Sequence, residues 1–215
     1  MADRKSVAAM ITEASASSPR AWGPPAVLAG LGALTMLGGR PLMLAWAYDR
    51  AGLAAGQWWR LLTCNFVHLG WWHLVLNQAS LALLVLLCPE PVPALAWIRR
   101  VLVLGVGMSL GLYYLSPEIQ TYVGMSGMIY GLFALGLGRQ ALRRDEIAIA
   151  CLLFLLARVG WELKFGTTAS EVRLIGGGIV AESHLYGIAS AAIYMGLAYL
   201  GILIRERFSK RAGDA

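Results

Sequence analysis

The sequence predicts an all-α, polytopic membrane protein: a bundle of six spanning helices. Three observations carry that reading. Of 215 residues, 58% are hydrophobic and only 14% charged, where a soluble domain carries roughly 25%. Mean hydropathy is +0.63. Charge-poor apolar runs, most near the roughly 20 residues a bilayer requires, recur six times along the chain. This composition argues against a cytosolic enzyme, a disordered chain and a nucleic-acid-binding module. Three cysteines (Cys64, Cys88, Cys151) are too few for a disulfide framework and sit in apolar stretches as buried thiols.

Residues 1–20 read as a disordered cytoplasmic tail: they hold no uninterrupted apolar core of a signal peptide, and Ser15 to Ser18 is small and polar. The first span is Ala21 to Gly39, started by Pro24-Pro25. The second is a helix from Trp71 to Cys88 within the charge-free stretch Leu61 to Pro89. Pro89, Pro91 and Pro93 mark the loop after it. The third is Val101 to Pro117, extended upstream by Ala94 to Ile98, and the fourth is Ile119 to Gly138. The fifth, Ile147 to Ala157, is short and ends at Arg158, which snorkels at the interface with Glu162 and Lys164. The sixth is Ser183 to Ile204. The membrane domain thus occupies residues 21–205, and 206–215 form a basic cytoplasmic tail.

Net charge is +6, and its placement explains it without nucleic acid. With both termini in the cytoplasm, twelve of the 18 Lys and Arg residues lie inside, among them Arg99, Arg100, Arg139, Arg143 and Arg144. The positive-inside rule favours that orientation. Trp71, Trp72 and Trp161 fit an aromatic belt near the outer surface.

Polar groups held in a bilayer mark function. His73 and Asn77 open span two, Ser126 lies near the start of span four, and His184 opens span six. These spans run in the same direction, so the four groups share a depth just below the outer surface. His73 and Asn77 are four apart and share a helix face. Gly124 and Gly127 flank Ser126 and leave backbone N–H groups accessible. Gly127 and Gly131 form a G-x-x-x-G, and His184, Gly187 and Ala191 recur on one face of span six, so two small-residue stripes can bring Ser126 to His184. Tyr130, one turn after Ser126, can pack beside the imidazole.

The chemistry follows from these residue types. A serine becomes nucleophilic when a base takes its proton, and His184 is that base. An oxyanion needs preorganised donors, and His73, Asn77 and the Ser126 N–H are candidates. No acid is expected at this depth, since Glu182 sits at the water interface, so the sequence predicts a Ser-His dyad. Metal chemistry is disfavoured: there is no H-E-x-x-H, and His68 and His73 are five apart and face different ways. His68 reads as a loop or interface residue. Asp3, Asp49, Asp145 and Asp214 lie at tails and edges, which argues against a paired-aspartate protease. No cofactor or metal is expected.

The pattern H-x4-H-x3-N on span two, G-x-S-G-x3-G on span four and H-x2-G on span six resembles the rhomboid family of intramembrane serine proteases. The stretches GQWWRLLTCNFVHLGWWHLVLNQ, SPEIQTYVGMSGMIYGLFALG, VGWELKFG and VAESHLYG resemble a bacterial branch, the rhombosortases. The resemblance implies Ser126 as nucleophile, His184 as base, His73 and Asn77 on the oxyanion side, and Tyr130 as ring partner. It implies a bacterial inner-membrane enzyme, with its active site near the periplasmic side. Its substrates would be exported proteins with GlyGly-CTERM tails: a Gly-rich motif, a hydrophobic C-terminal helix and a basic end. Cys64 stands where many rhomboids have a further histidine, and Ala191 where glycine is common. The alternative is an inactive rhomboid-like protein that binds transmembrane helices; loss of Ser126 or His184 usually marks that class, and both are present.

Overall fold

The computed structural model describes residues 19–213. The expected tail at 1–20 lies outside the described residues except for its last two. Those two already belong to helix α1, Pro19–Leu37, which starts upstream of the two prolines. Pro24 and Pro25 lack N–H donors, so two helical bonds near its start are forfeited.

Six long helices follow the order that the hydropathy predicts: α1, α5 (Trp71–Leu87), α6 (Ala94–Leu115), α7 (Ser126–Ala141), α8 (Glu146–Phe165) and α10 (Ala181–Gly213). Between α1 and α5 lie three short helices, α2 (Gly39–Trp46), α3 (Arg50–Ala54) and α4 (Arg60–Thr63), and a 3-10 turn, Cys64–Phe66. Helix α9 (Ala169–Ile175) lies between α8 and α10. The one sheet among the described residues pairs β1 (Tyr48–Asp49) antiparallel to β2 (Thr121–Tyr122), with Tyr48 opposite Tyr122.

Among the described residues, only α6 and residues Ala181–Arg205 of α10 are by themselves long and apolar enough to cross a membrane. Two bent pairs pass together: Ala21–Leu37 with Gly39–Trp46, at 119°, and Arg60–Phe66 with Trp71–Leu87, at 92°. The other two long helices depart from simple spans for physical reasons. Helix α8 carries Arg158, Glu162 and Lys164. Helix α7 has 16 residues, about 24 Å at 1.5 Å per residue. That is shorter than the hydrocarbon layer of about 30 Å. Arg143, Arg144 and Asp145 follow its C-terminal end closely and belong at a surface. Its other end, Ser126, therefore stops inside the layer. Residues 119–125, expected as part of the fourth span, are instead loop and β2.

Helix α7 is the centre of the bundle, buried from Gly127 to Leu137 except at Tyr130. Met128, Ile129, Leu132 and Leu135 pack against Leu81, Leu84, Leu104 and Ala191 in one apolar core. Helices α7 and α10 approach backbone to backbone. A Cβ at Gly127 would stand 2.8 Å from the Ser183 carbonyl oxygen, and one at Gly131 would stand 2.7 Å from that of Gly187.

The links are tied by arginines. Arg50 donates to the carbonyls of Leu112 (2.8 Å), Tyr113 (2.9 Å), Ser116 (2.8 Å) and Ile119 (3.2 Å). It thereby satisfies acceptors that the end of α6 leaves unpaired. Arg60 does the same for Leu44 (2.9 Å) and Ala47 (2.7 Å) after α2. At the opposite end of the bundle, Glu90 bridges Arg100 and Arg139, both at 3.0 Å. Helix α10 runs on to Gly213, past the boundary at Arg205, so the expected basic tail continues the helix up to that point.

Gly131→Ala is expected to destabilise the protein by about 1–3 kcal/mol through overpacking. Thermal unfolding in detergent should show the loss, whereas Gly160→Ala, where the new methyl meets nothing within 4 Å, should leave the melting temperature unchanged or higher.

Candidate active site

Ser126 is the first residue of α7, and His184 lies in the first turn of α10. The glycine contact sets the register of these helices, and Ser126 Oγ lies 3.0 Å from His184 Nε2. His184 is 4% exposed. Tyr130 lies flat against it, with ring centroids 4.0 Å apart and planes 2° apart.

The other imidazole nitrogen has an acidic partner. His184 Nδ1 lies 2.7 Å from Glu162 Oε2, and the Glu162 side chain is almost fully buried. An ionised carboxylate can only accept, so Nδ1 carries the proton and Nε2 is left to accept from the Ser126 hydroxyl. The expectation that no acid lies at this depth is corrected by this geometry. The sequence places Glu162 at the interface because the fifth apolar run ends at Arg158. Instead α8 continues to Phe165, and Arg158 pairs with Glu162 one turn on, at 2.9 Å. The pair offsets two charges that would otherwise be costly away from water. The R-x3-E spacing was the available signal.

His73 and Asn77 share one face of α5, as their spacing requires. Asn77 is buried and donates through Nδ2 to the His73 carbonyl at 3.0 Å. One amide hydrogen remains, since the NH2 group has two. His73 Nδ1 accepts the Leu69 N–H at 3.4 Å, which leaves the proton on Nε2. His68 is in a loop but buried rather than interfacial, edge-on to His73 at 5.2 Å.

Gly124 has φ +122°, and a Cβ there would stand 2.7 Å from the His73 ring. Only glycine fits both constraints. Tyr122, also not foreseen, donates its hydroxyl to the Gly124 carbonyl at 2.7 Å and accepts the Gly127 N–H at 3.3 Å. It fixes the loop that presents Ser126. No sequence spacing announces it, because β2 brings it there. Gly127 and Gly187 act through the helix contact described above.

Ser126, His184, Glu162, His73, Asn77 and Tyr130 line one cavity of about 640 Å³. Its walls include Leu76, Leu174 and Ile175, so a polar floor meets apolar sides. Helix α9 supplies part of the wall. It is closed by a capping box between Thr168 and Glu171, and Glu171 also takes Arg158 Nη2 at 2.8 Å.

Residues 55–203 match the model of the Rhomboid domain. The protein named "Putative rhomboid protease YdcA" of Bacillus subtilis (strain 168) is 27% identical over 159 residues, covering 73% of each chain.

The Thr168 N–H and hydroxyl, and then Arg158, hold the Glu171 carboxyl below its ordinary value of 4.5. A lowered folded-state value contributes stability that is complete above the unfolded value and lost as pH falls through the folded one. Hydrogen-exchange protection of α9 should therefore hold down to about pH 4.5 and fall below it. Glu171→Gln should remove that dependence; an unchanged pH profile in the variant would refute it.

Proposed function

The chain belongs to the rhomboid family of intramembrane serine proteases, and on that premise we propose that Ser126 is its nucleophile and His184 its general base. The 3.0 Å contact between Ser126 Oγ and His184 Nε2 carries this reading. Ser126 Oγ attacks the scissile carbonyl while His184 takes its proton. His184 then gives that proton to the leaving amine, and water hydrolyses the acyl-enzyme by the same route in reverse.

Several features suit the oxyanion. Ser126 begins a helix whose first-turn N–H groups have no intrahelical acceptors and whose dipole favours negative charge there. The free Asn77 amide hydrogen and His73 add donors at the cavity wall. Gly124 lets the loop pass close to the His73 ring and Gly127 lets α10 bring His184 close, and Tyr130 restrains the imidazole plane.

The substrates we propose are exported proteins with GlyGly-CTERM tails. The rhombosortase-like stretches support this choice, as does the cavity, whose apolar sides suit a hydrophobic helix and whose polar floor suits an unwound one. A helical substrate must open locally to expose a peptide bond, and glycine lowers that cost by about 1 kcal/mol per residue relative to alanine. The resemblance to rhombosortases implies a bacterial inner membrane, and the charge distribution favours both termini in the cytoplasm, which puts the site near the periplasmic face. No cofactor takes part in this scheme.

A fluorophosphonate should label the detergent-solubilised protein, and Ser126→Ala and His184→Ala should both abolish labelling. A folded Ser126→Ala protein that still reacts would overturn the assignment. Asn77→Ala should lower kcat roughly 10²-fold with KM little changed, because its donor acts on the transition state; this is read with a tail peptide carrying a Gly-rich motif and a hydrophobic helix. Cleavage should stop when the glycines become leucines.

A further inference from the structure

We propose that Glu162 is a positioning residue of this catalytic centre, held in place by Arg158, so that the proton moves only between Ser126 and His184 while Glu162 remains a carboxylate behind the imidazole; the inference rests on the assignment of Ser126 and His184 above. Its two carboxylate oxygens are divided between two partners. Oε2 faces His184 Nδ1 at 2.7 Å, and Oε1 faces Arg158 Nη2 at 2.9 Å. The same guanidinium nitrogen reaches Glu171 Oε1 at 2.8 Å. Arg158 thus joins the acid beside the histidine to the capping box of α9.

The arrangement does two things that a dyad leaves to chance. A neutral imidazole has two tautomers, and only the one protonated at Nδ1 can take a proton at Nε2. The Glu162 carboxylate selects that tautomer. When His184 takes the Ser126 proton it becomes a cation in a low-dielectric interior, and the carboxylate offsets that charge at the moment it forms. Stacking on Tyr130 restrains the ring plane but does neither.

Arg158 answers the opposite problem. A carboxylate this buried is costly without a partner. A cation four residues earlier on the same helix compensates it at a distance that the helix itself fixes. Glu171 takes the same guanidinium nitrogen, so the orientation of Glu162 also depends on α9 being in place.

A purely structural ion pair between Glu162 and Arg158 predicts something different. It would affect folding, and leave the intrinsic reactivity of Ser126 untouched.

The test is fluorophosphonate labelling of the full chain in detergent, with wild type, Ser126→Ala, Glu162→Gln and Glu162→Asp compared, each checked by thermal unfolding. Glu162→Gln should slow labelling roughly 10²-fold or more while staying folded. Glu162→Asp should recover part of the rate, because a carboxylate is restored. Labelling of a folded Glu162→Gln protein within about threefold of wild type would overturn the inference. Labelling that survives in Ser126→Ala would instead overturn the nucleophile assignment, so the two failures are distinguishable. If Glu162→Gln does not fold, Ser126→Ala decides by proton NMR. The far-downfield resonance of a carboxylate-bonded imidazole Nδ1–H should be present at low temperature, and its absence from the folded protein would overturn the inference.

Discussion

Ser126 and His184 are separated by 58 residues of chain, and their contact depends on α7 and α10 meeting without side chains between them. Gly127 faces the carbonyl of Ser183, and Gly131 faces that of Gly187. Within lipid there is little hydrophobic force to drive two helices together, so close packing and direct polar contact do that work. A methyl group at either position would push the helices apart, and a hydrogen bond of 3.0 Å does not survive much separation. Catalytic geometry here is a property of helix packing before it is a property of the reacting groups.

The second constraint is electrostatic. The protein keeps Glu162, Arg158 and His184 in contact where each alone would be expensive. It manages this by sequence proximity for one pair and by helix convergence for the other. Arg158 and Glu162 are neighbours on α8, so their pairing needs no tertiary structure. His184 comes to Glu162 only once α10 has docked.

That difference explains what the sequence could and could not reveal. The six helices were legible because apolar runs reflect the cost of exposing backbone to lipid, which is a local matter. Ser126, His184, His73 and Asn77 were legible because each is a polar group out of place in an apolar run. Glu162 was hidden because it follows Arg158 and Trp161, where a charged helix end at the interface is the ordinary interpretation. Its burial comes from the walls of α7, α9 and α10, which no window of the sequence contains. Tyr122 was hidden for a similar reason: its place near Ser126 is set by a two-residue strand pairing with β1. The start of α7 is not legible because residues 119–125 carry no charge and continue the apolar run, yet they form the loop that presents the nucleophile.

The shortness of α7 has a consequence for the supply of a reactant. Peptide hydrolysis consumes water, and the hydrocarbon layer holds almost none. A helix of 16 residues ends before it reaches the far surface, and the space above that end carries histidine, asparagine, serine and carboxylate groups among its apolar walls. The protein in effect lowers the water surface to the serine instead of raising the serine to the water. Depth and hydration are then set by the number of residues in one helix. A single added turn, about 5.4 Å, would change both at once, even with every catalytic side chain retained.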